Sequence, residues 1–208
     1  VNKNAIIEFD DKVKGPQSFK AADIGDFIIR RADGSSSFMF CNAIDDALMG
    51  VTLALRGEDH LTNTPRQLMI LQTLNLRAPE YGHMSLIIGN DGSPLSKRNG
   101  SKSLKILRSE GYLPEAIVNY LARLGHQYED LKYCDLDTLA KYFELSHLGK
   151  SSSHYDEQHL FHWQKEAVLH ISKERFEQWL KSYEGILTVC PSDKREEYLK
   201  RSEEHTSE

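Results

Sequence analysis

The 208-residue chain predicts an α/β unit followed by an all-helical one. Up to Pro94, short apolar runs closed by polar turns alternate with a helix, the order that lays helices on a sheet. From Ser103 onward the apolar residues recur at helical spacing only. The composition, 39% hydrophobic and 27% charged, is that of a globular chain long enough to bury a real core.

Ala5-Ile6-Ile7-Glu8-Phe9, Val13-Lys14-Gly15-Pro16 and Ser18-Phe19 read as short strands around a Gly15-Pro16 turn. Asp26-Phe27-Ile28-Ile29-Arg30-Arg31 reads as a compact strand ended by Asp33-Gly34-Ser35-Ser36-Ser37. The run Phe38 to Ala43 suits a buried strand or the start of a helix, and periodicity does not separate the two. Val51 to Leu55 is a clearer strand with Arg56 at its carboxyl end, where open α/β sheets place their ligands. Thr64 is an expected N-cap with Pro65 behind it, and Leu68, Leu71 and Leu74 line one helix face as far as Asn75. Met84 to Ile88 reads as one more buried strand before the turn-rich Gly89 to Pro94. Helices follow over Ser103 to Glu110, ended by Gly111, and from Pro114 to Gly125. Others are expected over Leu136 to Leu145, Asp156 to Leu169 and Ser172 to Ser182, with Trp163, Phe176, Trp179 and Tyr183 in the core of this helical unit. Asp193 to Glu208 is nearly all charged or polar and reads as a tail, disordered or an appended remnant. The chain holds no internal repeat.

Several function classes drop out. Cys41, Cys134 and Cys190 never form a C-x-x-C pair, which argues against a disulfide framework and a zinc knuckle and favours a reducing cytoplasm. Nothing resembles a signal stretch or an apolar run of about 18 residues, so no membrane role is expected, and the absence of an initial methionine points to a fragment. There is no phosphate-cradling G-x-x-x-x-G-K-[ST] loop and no Gly-rich dinucleotide fingerprint. His154, His159 and His162 lack the partners of a metal site and read as helix-surface or partly packed histidines. The net charge of −5 does not mark a nucleic-acid binder. It hides a local stripe, though: Lys97, Arg98, Lys102, Lys105 and Arg108 occur with no acid among them.

Two segments carry chemistry. In Leu55-Arg56-Gly57-Glu58-Asp59-His60, the planar fork of Arg56 suits a carboxylate, and Asp59 and His60 suit a ribose or a base. Arg56 paired with Glu58 or Asp59 is the plainer alternative. In Leu95-Ser96-Lys97-Arg98, a loop after a buried strand offers mobile cations that suit a polyphosphate and the charge developing on it.

These segments resemble bacterial glutamyl-tRNA synthetase, a class I aminoacyl-tRNA synthetase. So do Ile28-Ile29-Arg30-Arg31-Ala32-Asp33-Gly34, Asp45-Asp46, Asn63-Thr64-Pro65-Arg66-Gln67 and Gly111-Tyr112-Leu113-Pro114-Glu115-Ala116. The resemblance runs over roughly residues 1 to 185. It implies that residues 1–22 end an acceptor-stem-binding insertion, 23–100 form the second half of a Rossmann catalytic domain, 101–185 form a helical stem-contact domain, and 186–208 are a polar tail. It also implies that Arg56 and Asn42 hold glutamate, with Phe38 where the family has a tyrosine. Lys97, Ser96 and Arg98 would then form the mobile catalytic loop, with Pro94 in place of its first lysine. Asp59, His60 and the backbone at Leu86 and Ile87 would line the ATP site, and Lys102, Lys105 and Arg108 would meet tRNA. The implied partners are glutamate, ATP with Mg2+ and tRNA(Glu), in a cytoplasmic monomer without bound metal. The reaction is attack of glutamate on the α-phosphate to give glutamyl-adenylate, then transfer to the terminal ribose of tRNA. On that pattern the amino-terminal half and the anticodon reader are missing, and the chain alone is expected not to complete adenylation. The alternatives are glutaminyl-tRNA synthetase, the paralogue that glutamylates a tRNA base, and a non-catalytic tRNA binder. The reading requires Arg56 and Lys97 to face one cleft.

Overall fold

The structure, a computed structural model, describes residues 2–89, 91–95, 102–129 and 132–182. The chain divides into two compact units, Val1–Leu86 with Glu144–Ser153, and Ile87–Phe143 with His154–Glu208.

The first unit is built on a four-stranded sheet. β1 (Ile6–Asp11) and β2 (Gly15–Lys20) form an antiparallel hairpin with Ile6 opposite Lys20 and Asp11 opposite Gly15. The turn needs a residue at positive φ, which Gly15 supplies at 81°. β3 (Leu53–Gly57) and β4 (Glu80–Met84) are parallel, β4 is parallel to β1, and the order is β2-β1-β4-β3. Through β1, the first residues join the sheet that carries Arg56. The one-turn α1 (Ala21–Ile24) follows β2.

Two helices form a further layer of this unit. α2 (Phe38–Leu48) is capped by the Ser37 hydroxyl, which accepts from Phe40 N at 3.4 Å. α3 (Thr64–Thr73) follows a 3-10 turn at Glu58–Asn63 and carries Pro65 in its first turn. The two helices pack around Ala43, Ile70 and Leu71, joined by Phe27, Met39, Phe40 and Ile44.

Some sequence expectations are corrected. Asp26 to Arg31 is no strand: a single bridge joins Arg30 to Ser36, and Ile28 stays 71% exposed. A ladder needs a run of paired residues, and this segment forms one bridge only. The strand read as Val51 to Leu55 lies two residues later, so Arg56 sits inside β3 opposite His83. Met84 to Ile88 is the end of β4 and a separate two-residue strand, Ile87–Ile88. Thr64 does not cap α3; its hydroxyl turns to Arg56 and His83.

The second unit is helical: α4 (Leu104–Ser109), α5 (Pro114–Gly125), α6 (Leu136–Lys141), α7 (Glu157–His170) and α8 (Lys173–Ser182). Ser103 caps α4, Asp135 caps α6, and Asp156 caps α7 by accepting from Gln158 N at 2.8 Å. The core is Leu107, Leu113, Ala116, Tyr120, Leu160, Trp163 and Ala167, with α5 packed on α7. Trp179 packs against this core and donates from Nε1 to Gly111 O at 2.9 Å. Tyr183 lies outside the described residues. Gly125 is the last residue of α5, as expected, and extended His126 follows it. α6 ends four residues before its expected end, and a 3-10 turn at Leu145–His147 follows.

Candidate functional site

The site grows from Arg56 in β3. Its Nε donates to His83 Nε2 at 3.2 Å, Nη1 to Asn42 Oδ1 at 3.3 Å, and Nη2 to Thr64 Oγ1 at 2.8 Å and Gln67 Oε1 at 2.6 Å. Gln67 Nε2 also donates to Asn42 Oδ1 at 2.7 Å, tying α2 to α3 at the guanidinium. The ring of Tyr81 lies beneath, 5.1 Å from Arg56 Cζ. Every one of these partners is neutral. Among the described residues, no carboxylate forms an ion pair with Arg56; the plainer pairing with Glu58 or Asp59 is not what the fold makes. Burial pulls the Arg56 pKa down, while Tyr81, Asp46, Asp11 and Asp59 act at longer range to hold it up. Four of the five guanidinium N–H donors are thus taken by the protein, and the remaining one, with the charge, suits a nearby anion.

Behind Arg56 sits a pair that sequence reading missed. His83 and Asp11 are both fully buried as side chains and are hydrogen-bonded through His83 Nδ1 and Asp11 Oδ2. Asp11 Oδ1 also accepts from the backbone N–H groups of Val13 (2.9 Å), Lys14 (2.8 Å) and His83 (3.1 Å). Burial raises the Asp11 pKa, but these bonds outweigh it and hold the carboxyl below its ordinary value of 3.8. Burial pulls His83 below 6.5 against the opposing pull of Asp11. The only sequence signal was a titratable residue within an apolar strand.

Glu58 turns the other way. It takes Lys14 Nζ at 2.5 Å and accepts from Leu86 N at 3.1 Å, so that the N–H of Leu86, expected in the wall of the ATP site, is already engaged. Lys14 Nζ also donates to Ser85 Oγ and to Lys150 O, each at 2.7 Å, fastening the returning segment 144–153 to the sheet. Asp59 and His60 lie on the 3-10 turn after β3, 3.8 Å apart and partly exposed. The Phe38 ring is 51% exposed and 5.6 Å from the His60 ring. The first unit thus gathers Arg56, Asn42, Phe38, Asp59 and His60 around the amino ends of α2 and α3.

In the second unit, Ile87 O accepts from Leu95 N at 3.0 Å. Lys102 is held by Glu157 and by Glu110, the latter at 2.9 Å, and these contacts hold its pKa above the usual lysine range. That leaves Lys102 little free charge for a phosphate. Lys105 and Arg108 are exposed one turn apart on α4. Ser96, Lys97 and Arg98 lie outside the described residues. Among the described residues, no group of three His, Cys, Asp or Glu could hold a metal, and no helix is long and apolar enough to cross a membrane.

Known proteins resemble the chain over most of its length. The chain is 56% identical over 193 residues to glutamate–tRNA ligase 2 of Nitrosococcus oceani, covering 93% of this chain and 40% of that protein. It is 59% identical over 180 residues to glutamate–tRNA ligase 1 of Methylococcus capsulatus, covering 86% and 39%. The chain thus spans about two fifths of the curated relatives it matches. Among solved structures, it superposes on glutamate–tRNA synthetase from Elizabethkingia anophelis with TM-score 0.80 at 27% identity, covering 92% of this chain and 42% of that one. The glutamate tRNA ligase of Elizabethkingia meningosepticum, crystallised in complex with its amino acid, gives 0.75 at 28% identity, covering 83% and 38%. The model of tRNA synthetases class I (E and Q), catalytic domain, matches residues 1–162. On sequence and fold together, the chain belongs to the class I (E and Q) tRNA synthetases, through their catalytic domain.

Proposed function

We propose that the chain serves the ATP-dependent attachment of glutamate to tRNA. The observation that carries this reading is the unneutralised guanidinium of Arg56, clamped by four neutral acceptors on β4, α2 and α3. It is supported by the names of relatives at 52 to 59% identity, all glutamate–tRNA ligases. Arg56 grips the side-chain carboxylate of glutamate, and Asn42 lines the same pocket. Phe38 closes one wall without donating a hydrogen bond. Glutamate then presents its α-carboxylate to the α-phosphate of ATP, which enters with Mg2+ on its phosphates as a substrate complex. Lys97, with Ser96 and Arg98, offsets charge that develops as pyrophosphate leaves, while Asp59, His60, Leu86 and Ile87 border the nucleotide. Lys105 and Arg108 face the tRNA backbone, with Lys102 shielded by its two glutamates. The setting is a cytoplasmic monomer.

The test is glutamate-dependent ATP–pyrophosphate exchange by the protein that carries these residues. Arg56→Ala is expected to raise the KM for glutamate about 100-fold while leaving the KM for ATP nearly unchanged. Equal losses for both substrates would overturn the role given to Arg56.

A further inference from the structure

We propose that Asp11 and His83 are positioning residues for Arg56: Asp11 fixes His83 as the neutral Nδ1–H tautomer, and the Nε2 lone pair then locks the guanidinium plane toward the ligand. This rests on the reading of Arg56 as the glutamate-gripping residue.

The argument follows the protons. Asp11 takes three backbone N–H groups on Oδ1, which holds it as a carboxylate in a dry site, so its Oδ2 accepts from His83 Nδ1–H. His83 Nε2 is then left as an acceptor. Two donors converge on it: Arg56 Nε–H at 3.2 Å and the Thr64 hydroxyl at 3.0 Å. The Thr64 hydroxyl has one proton, and its oxygen already accepts Arg56 Nη2–H at 2.8 Å, so the proton points to His83. Each bond fixes the sense of the next, and the chain is consistent only with a neutral ring protonated on Nδ1. A proton on Nε2 would leave Arg56 Nε–H without its acceptor, and a ring protonated on both nitrogens would also set two cations edge to edge.

The surroundings hold that state. Asp11 comes from β1, Arg56 from β3 and Tyr81 from β4. Asp46 on α2, with Asp59 and His60 on the 3-10 turn, acts at longer range, while α3 contributes only Thr64 and Gln67, which do not titrate. The site thereby spans three strands and joins two residues 72 positions apart to Arg56.

Nitrogen-15 NMR of the 208-residue chain tests this. Long-range correlations of the His83 ring are expected to show the neutral Nδ1–H tautomer, and Arg56 Nε–H is expected to exchange slowly with water. Asp11→Asn should abolish the tautomer preference and speed exchange at Arg56 Nε about tenfold, with the methyl signals of Leu71 and Ile70 unmoved. Should that variant not fold, the wild-type tautomer still decides. An Nε2–H or doubly protonated His83 at neutral pH would overturn the proposal, as would an Asp11→Asn chain that keeps slow exchange at Arg56. Addition of L-glutamate against L-glutamine separates the two ideas. The expected tautomer with no glutamate-specific shift at Arg56 would sink the substrate reading and leave the clamp standing. A glutamate shift with the wrong tautomer would sink the clamp alone.

Discussion

Arg56 shows how far one residue can be read without coordinates. Its side-chain type and its place near a strand end pointed to a carboxylate, because only arginine offers a rigid fork of donors. Arg56→Lys keeps the charge and loses the fork, leaving Gln67, Asn42 and His83 without a shared donor; glutamate use is expected to fall at least about tenfold, measured as kcat/KM. Retained kcat/KM would mean that charge alone suffices. Tyr81 gives the opposite case. Its hydroxyl is buried with no hydrogen-bond partner among the described residues, and burial pushes its pKa up to about 12. Tyr81→Phe is therefore expected to be neutral or stabilising by up to about 1 kcal/mol in urea unfolding, and a loss greater than that would reveal a partner for the hydroxyl. Asp11 and His83 were not legible at this scale, because neither residue means anything until the sheet brings them together.

At the scale of the element, helix ends were the most readable feature. α2, α3 and α4 all stop with a left-handed residue, Gly50 (φ 70°), Asn75 (φ 53°) and Gly111 (φ 87°), followed by a bond back across the last turn. Leu76 N to Leu71 O at 2.9 Å and Tyr112 N to Leu107 O at 3.0 Å are two of these. Gly111→Ala is expected to lower stability by about 1 kcal/mol, and Asn75→Gly to raise it by a few tenths, each read from the urea midpoint at constant slope. The reverse order of effects would contradict the assigned backbone. The strand expected at Asp26 to Arg31 is absent because local signals give propensity only. An apolar run becomes a strand only where another strand pairs with it along a ladder.

For the whole molecule, the buried pair makes stability depend on pH. The His83 pKa is depressed on folding, so the unfolded chain binds its proton first as pH falls below 6.5. Stability from this residue is complete above that value and declines as pH falls below it; the Asp11 contribution is lost only lower, below 3.8. Urea unfolding at stepped pH should show the earlier loss, and His83→Gln should flatten it; a wild-type curve level below 6.5 would refute the assignment. The amino-acid order by itself determined the class of fold, the two kinds of unit, the carboxyl ends of α3 and α4 and the arginine, because those follow from periodicity, side-chain chemistry and residues near in the chain. The tertiary structure alone decided that the first strands join the sheet of β3 and β4, that Glu58 turns to Lys14, that Lys102 is held by two carboxylates, and that Arg56 keeps its charge unneutralised. Each of those is a pairing between distant segments, and strand order, not local sequence, sets which buried groups meet.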